Sequence, residues 1–266
     1  NGYFDEEYIS AIRALRRAGV EGIIPVLDKP WLLSTFIDDP GPETYQIGLR
    51  QKILHGAHTL EEADQAHTRF GMRFDEILAV AESAAIAPNV DVVLYHIHLG
   101  SQIEDREEFL AGLLAGVEGY CRLAQICDTL HIFDIGGGAP GTTSLKGPPF
   151  NLKSLLRDFL VRLKQMCREY QVPEPDIITE WGRHSVSDCE AHFWPVIAKY
   201  GCWYQIAGSI MNTLPDVWGP YQQRFPVLPA NGFNRTYDYY EPAGLTCDQD
   251  DTYPIVPLPK VAIHTG

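Results

Sequence analysis

The chain of 266 residues has no run of about 18 apolar residues, so no segment is expected to cross a membrane as a helix. No stretch has the layout of a secretory signal peptide. There is no C-x-x-C pair either. Cys121, Cys127, Cys167, Cys189, Cys202 and Cys247 are scattered, which argues against a zinc ribbon or a thioredoxin motif and fits a reducing, cytoplasmic setting. Basic residues are scarce: 21 Lys and Arg stand against 35 Asp and Glu, for a formal net charge of −14. The basic footprint that nucleic acid needs is therefore missing. Any anionic ligand has to be held by local donors working against that overall field. Repeats and low-complexity tracts are absent, and Asn234-Arg235-Thr236 reads as a chance sequon. The first residue is Asn rather than Met, and the closing "AIHTG" reads as a strand under way. An internal fragment of a longer chain is the expectation.

What is present describes a soluble globule. Hydrophobic residues make up 45% and charged residues 21%, enough for one barrel-sized domain or a domain and a half. Residues 5–18 have the apolar spacing of a helix, with Ile9, Ile12 and Leu15 on one face and Gly19 as the stop. Helices are also expected over 59–70, 74–87, 105–127 and 152–170. Strands are expected over 22–28, 45–53, 90–99, 129–135 and 176–181. The run over 90–99 is apolar on both faces, as in a buried parallel strand. Strands alternating with helices at this spacing predict βα units and a parallel sheet, an α/β barrel of the TIM type. Beyond about residue 194 helical periodicity gives way to dense Pro, Gly, Trp and Tyr. The division expected is 1–193 as barrel and 194–266 as a mostly β domain.

Polar and glycine residues collect at the C-terminal ends of successive strands, the rim where such barrels bind ligands. They are Arg50, then His98 to Ser101, then Asp134 with Gly136 to Gly138, then Glu180 to Arg183. In "YHIHLGSQ" (95–102), His96 and His98 are two apart and face the same way on a strand. Core packing and metal ligation are both open for them, the latter with Glu180 or His184 as further ligands. In "FDIGGGAPG" (133–141), three glycines after a buried strand leave backbone N–H groups able to converge on an anion. The stretch also fits G-x-G-x-x-G, but "TTSLKGPPF" follows instead of a helix, so phosphate binding is favoured over a dinucleotide site. "TEWGR" (179–183) offers either a surface pair of Glu180 with Arg183 or, if the rim binds a phosphate, Arg183 as a fork of donors for it and Glu180 to hold a protonated nitrogen. "GLTCDQDD" (244–251) places Cys247 directly before Asp248.

In this order the motifs "NGYFDEEYI", "IGLRQK", "RFGM", "HIHLGSQI", "FDIGGGAPG", "EWGR" and "TCDQDD" resemble the fold-type III pyridoxal-phosphate decarboxylases of basic amino acids. The arginine branch is the nearest in look, with the ornithine and diaminopimelate branches next. The resemblance implies a cofactor, pyridoxal 5'-phosphate, whose ring lies against His98. It implies a phosphate held by Ser101, Gly136, Gly137, Gly138 and Arg183, and a ring nitrogen paired with Glu180. It further implies Cys247 as the group that returns a proton to Cα and Asp248 as the acid that receives the substrate's distal cation. Both would serve the partner subunit of a homodimer. Polyamine biosynthesis from arginine is the implied setting.

Two departures accompany the resemblance. The family's Schiff-base lysine lies in an "A-x-K-A-N" strand, and none of Lys29, Lys52, Lys146, Lys153, Lys164, Lys199 and Lys260 has that context. Trp181 is bulky where the family has small residues. A non-catalytic homologue and a metal-dependent barrel hydrolase using His96 and His98 remain as alternative readings.

Overall fold

A computed structural model of the chain describes residues 1–39, 41, 44–141, 150–187, 189–218 and 224–261. The loop expected over 142–149, which includes Lys146, and the strand expected at 262–266 lie outside the described residues. The described residues form two compact units, 1–140 with 150–183, and 141 with 184–261.

The first unit alternates helix and strand: α1 (Glu6–Arg17), β1 (Val26–Leu27), α2 (Leu32–Ile37), β2 (Tyr45–Arg50), α3 (Leu60–Asp64), α4 (Phe74–Ala85), β3 (Val90–His96), α5 (Arg106–Ala124), β4 (Ile132–Asp134), α6 (Leu152–Tyr170) and β5 (Asp176–Ile178). Its five strands form one sheet in chain order β1-β2-β3-β4-β5, every pairing parallel. Parallel neighbours need a crossover, and the helices supply it. This is a partial (β/α) barrel, the expected fold class.

Local chemistry explains where the helices start. The Asp5 carboxylate caps α1 by accepting from the Tyr8 N–H, with Glu6 and Glu7 in the first turn and Arg16 and Arg17 in the last, matching the helix dipole. Asp105 caps α5 through the Glu107 and Glu108 N–H groups, and Asn151 caps α6 through that of Ser154. In α6, Leu155, Phe159, Leu163 and Cys167 are buried at successive i+4 positions. Each of the larger three contributes about 1.5–3 kcal/mol of transfer free energy.

Helix α5 lies close on the sheet because three glycines face it. A Cβ at Gly112 would meet Leu99 Cδ1 at 3.0 Å, one at Gly116 would meet Ile97 Cδ1 at 2.5 Å, and one at Gly119 would overlap the Tyr95 hydroxyl. Beneath them Phe133 contacts the rings of Tyr95 and Tyr120, both with centroids at 5.7 Å. Strand β3 is buried on both faces, with only Asp91 half-buried. The middle of the sheet is thus rigid, and the strand ends that carry the polar residues are fixed by it.

In the second unit β6 (Val196–Tyr200), β7 (Trp203–Ile206), β8 (Tyr237–Ala243) and β9 (Val256–Pro259) form a mixed sheet in that order, with short helices α8 (Ile210–Thr213) and α9 (Pro215–Trp218) between β7 and β8; one more short helix, α7 (Gly182–Val186), precedes this unit's strands. Tyr204 and Tyr240 stack across the sheet with ring centroids 3.9 Å apart, and Ile206, Ile210, Val217 and Tyr253 form a second cluster.

Candidate active site

Parallel register aligns the ends of four strands in one row. Arg50 pairs with His96, His96 with Asp134, and Asp134 with Ile178. This row ends in a buried charge network. The Arg50 guanidinium lies 4.6 Å from the Phe70 ring centroid, donates to Asn1 Oδ1 at 2.9 Å, and faces Asp28 at 3.8 Å. Asp28 in turn accepts from Lys29 Nζ at 2.9 Å and from the Gly71 N–H at 2.6 Å. Burial pulls the Arg50 pKa down, opposed by the charges of Asp28, Glu180 and Asp134. Asn1 Nδ2 donates to His96 Nε2 at 3.0 Å, which places the imidazole proton on Nδ1. His96 Nδ1 is 3.2 Å from Asp134 Oδ2, a close polar contact that is out of line for a hydrogen bond.

One layer further out lies the glycine turn. Gly136 has φ +64° and Gly138 φ +116°, the region that favours glycine. A Cβ at Gly136 would overlap the Ile97 carbonyl oxygen, one at Gly137 would meet His98 Cε1 at 3.0 Å and the Glu180 carbonyl oxygen at 3.5 Å, and one at Gly138 would meet Ile103 Cδ1 at 2.9 Å. So His98 and Glu180 both close on the turn. The Glu180 N–H also donates to the Gly136 carbonyl at 3.0 Å.

The N–H groups of this turn are less bare than the sequence suggests. That of Gly136 donates to Asp134 Oδ1 at 2.9 Å, and that of Gly137 to His98 Nδ1 at 3.3 Å. The second bond is longer and ends on a neutral nitrogen, so it is the one an anion would displace. Accepting at Nδ1 requires His98 to be the neutral Nε2–H tautomer. Its pKa is lowered, first by burial and then by the charge on Arg50.

Ser101 stands exposed beside this turn, after Gly100 at φ +136°. The Ile103 N–H donates to the Gly138 carbonyl at 3.0 Å and ties the two loops together. Arg183 opens α7, three residues past Glu180. Cys247 and Asp248 belong to the second unit, on an exposed turn.

Among the described residues of this site, the group with metal-ligand spacing is His96, Asp134 and Glu180, whose ligand atoms lie within 4.8 Å of one another. His98 is not in it, so the pairing of His96 with His98 on one cation gains nothing from the geometry. The residues that sequence reasoning missed are Asn1, Asp28 and Phe70. Asp134 was read as a rim residue without a role. An acid at the end of a buried strand, two residues before three glycines, is the available signal for it.

Comparison with known proteins agrees with this geometry. The family model described as pyridoxal-dependent decarboxylase, pyridoxal binding domain, matches residues 9–187. The biosynthetic arginine decarboxylase of Shewanella denitrificans is 29% identical over 194 residues, which is 69% of this chain and 30% of that protein. That of Shewanella frigidimarina is 30% identical over 194 residues, with the same two shares. Among solved structures, the diaminopimelate decarboxylase of M. jannaschii in complex with L-lysine superposes with a TM-score of 0.78 at 20% identity, covering 98% of this chain and 60% of that one. The biosynthetic arginine decarboxylase of Campylobacter jejuni gives 0.73 at 17% identity, covering 95% and 56%. At such identities the superpositions speak for the fold. The chain spans about 30% of the length of the curated relatives it matches. With the family model covering about two thirds of the sequence and ending just past Glu180 and Arg183, the chain belongs to the pyridoxal-dependent decarboxylases, in the part that binds pyridoxal phosphate.

Proposed function

We propose that the chain forms the cofactor-binding part and part of the substrate-recognition surface of a decarboxylase acting on a basic amino acid, arginine foremost, through pyridoxal 5'-phosphate. The observation that supports the reading is the glycine turn packed against the His98 ring and bonded to the Glu180 backbone, with the Glu180 carboxylate within 4.8 Å of the ligand atoms of His96 and Asp134. A phosphorylated, protonated pyridine needs these groups together: N–H donors for the phosphate, a carboxylate for the ring nitrogen, and an uncharged planar group against its face. The residues present fit that demand. The cofactor, when bound, supplies the electron sink that lets the substrate's carboxylate leave as CO₂.

The chain's own residues then have separate tasks. Gly137, Gly138, Ser101 and Arg183 hold the phosphate, and Gly136 fixes the turn through its bond to Asp134. His98 stays neutral, so it packs on the ring without opposing the ring's positive charge. Glu180 holds the proton at the ring nitrogen. Cys247 delivers a proton to Cα, and Asp248 binds the distal cation of the substrate. Both act in a homodimer, at the partner's site. Arginine is preferred because both curated relatives named above are arginine decarboxylases, and a guanidinium pairs well with a single carboxylate.

The test is release of CO₂ by the holoenzyme from L-arginine, L-ornithine, L-lysine and meso-diaminopimelate in parallel. Arginine is expected to be turned over fastest, and Glu180→Ala to abolish turnover. Turnover of none of the four, with cofactor held but not fixed by borohydride, would instead support the non-catalytic homologue.

A further inference from the structure

The second unit contains a buried carboxylate that the proposed mechanism does not use. Asp251 is 2% exposed. Its Oδ1 accepts from Ser209 Oγ at 3.2 Å, the Ile210 N–H at 2.7 Å and the Met211 N–H at 3.2 Å. Its Oδ2 accepts from the Thr246 N–H at 3.2 Å and Thr246 Oγ1 at 2.7 Å. Five donors on one carboxylate satisfy it fully. Burial alone would raise its pKa, yet the bonds from Thr246, Met211 and Ile210 win and hold it below the usual carboxylate range.

These bonds converge on the turn that carries Cys247 and Asp248. The turn leaves the sheet at Gly244, where a Cβ would overlap the Asp251 carboxylate. It returns at Asp251, whose carbonyl accepts from the Gly244 N–H at 2.7 Å and whose N–H donates to the Asp248 carbonyl at 3.2 Å. Within it, Thr246 Oγ1 also accepts from the Asp248 N–H at 3.4 Å, and Asp248 Oδ1 accepts from the Asp250 N–H at 2.9 Å. Residues 246–250 are all exposed. An exposed turn of five residues has little packing of its own to hold it. Here one buried anion joins both ends of the turn to the start of α8, and Thr246 passes that constraint to Asp248.

We infer that Asp251, acting through Thr246, is a positioning residue that sets the placement of Cys247 and Asp248. This rests on the roles proposed above for those two residues. A side chain misplaced by about 1 Å can cost on the order of a hundredfold in rate, so the constraint is worth keeping even where it adds little stability.

The experiment is a set of variants of the holoenzyme, read by kcat, KM, cofactor absorbance and the preference for arginine over citrulline, its uncharged isostere. Asp251→Asn leaves donors facing an amide and can cost folding, so Thr246→Val is the main probe. It removes one hydroxyl and keeps the volume. Thr246→Val is expected to lower kcat/KM for arginine by about tenfold or more. It should also shrink the arginine-to-citrulline preference, with cofactor absorbance and affinity unchanged. Thr246→Ser keeps the hydroxyl and should stay within about twofold of the parent. A merely structural role would lower turnover of both substrates alike and would disturb the cofactor with them. Cys247→Ala and Asp248→Ala are the controls. If these lower arginine turnover but Thr246→Val does not, the positioning role is overturned and the function stands. If neither control changes turnover, the proposed roles of Cys247 and Asp248 fail, and the inference fails with them.

Discussion

Replacing Gly136 and Gly137 separately by alanine should have unequal consequences, although the two are adjacent. At Gly136 the backbone has φ +64°, where an L-residue costs about 1–2 kcal/mol. The new methyl would also overlap the Ile97 carbonyl, which is backbone at the end of a buried strand and cannot swing aside. Relief requires the turn to move. That stretches the Gly136 N–H bond to Asp134 and the Glu180 N–H bond to the Gly136 carbonyl. At about 0.5–1 kcal/mol for each stretched bond, the total is roughly 2–4 kcal/mol. Gly137 has no positive φ, and its added methyl would meet only His98 Cε1 at 3.0 Å and the Glu180 carbonyl at 3.5 Å. An imidazole edge can shift by a few tenths of an ångström, so the cost is below about 1 kcal/mol. Gly136→Ala is therefore expected to lower the thermal midpoint by roughly 4–16 °C, and Gly137→Ala by no more than about 4 °C. Gly137→Ala should still weaken cofactor binding, because it displaces His98. Differential scanning calorimetry with a pyridoxal-phosphate titration measures both effects. Equal midpoints for the two variants, or the reverse order, would refute the reading of this turn.

Lowered from its ordinary value of 6.5, the His98 pKa makes the folded chain refuse a proton that the unfolded chain takes up. Stability should hold above that value and fall as the pH drops below it, while cofactor affinity should hold until the pH passes the lowered value of the folded chain; His98→Gln should flatten both profiles, and an unchanged slope would contradict it. Arg50→Met keeps the packing on Phe70 but leaves the buried Asp28 with Lys29 and the Gly71 N–H alone. A loss of about 1–3 kcal/mol in urea unfolding is expected, and a stabilised variant would show that Arg50 is not needed to compensate Asp28. Gly119→Val drives a side chain into the Tyr95 hydroxyl and should destabilise by about 1–3 kcal/mol without altering kcat, checked by chemical denaturation alongside turnover.

The sequence made some of this visible and hid the rest for physical reasons. Helix α6 was legible over its whole length, since the Asn151 cap and the i+4 repeat of buried residues are both local signals. Its far end was not marked by glycine, yet Gln171 adopts φ +59° there. The helix expected over 59–70 ends at Asp64, because the Asp64 carboxylate turns to accept from the Phe74 N–H and Gly71 enters at φ +82° against the backbone of Gln51 and Lys52. That tight turn delivers the Gly71 N–H to Asp28 and Phe70 to Arg50, neither of which periodicity can report. The strand expected over 22–28 shrinks to Val26 and Leu27, after Gly22 at φ +77° and a proline that donates no hydrogen bond. Of the site, the glycine turn, His98 and Glu180 were legible as motifs. Asn1 and Asp28 were not, since their meaning comes only from partners dozens of residues away.

The charges around Arg50 explain why Glu180, and not one of its neighbours, is left for a ligand. Asp28 and Asp134 are both buried, and each is engaged by a backbone N–H, from Gly71 and Gly136 respectively. Glu180 is the exposed carboxylate of the three that face Arg50. Arg50, Lys29 and the Asn1 ammonium stand beside these three carboxylates, and burial keeps His98 neutral. The accessible carboxylate among these charges is Glu180. A cationic group is favoured there, and an anionic one is pushed toward the N–H donors of the glycine turn. The proposed cofactor, positive in its ring and negative at its phosphate, would meet both demands, with the neutral His98 imidazole beside the glycine turn.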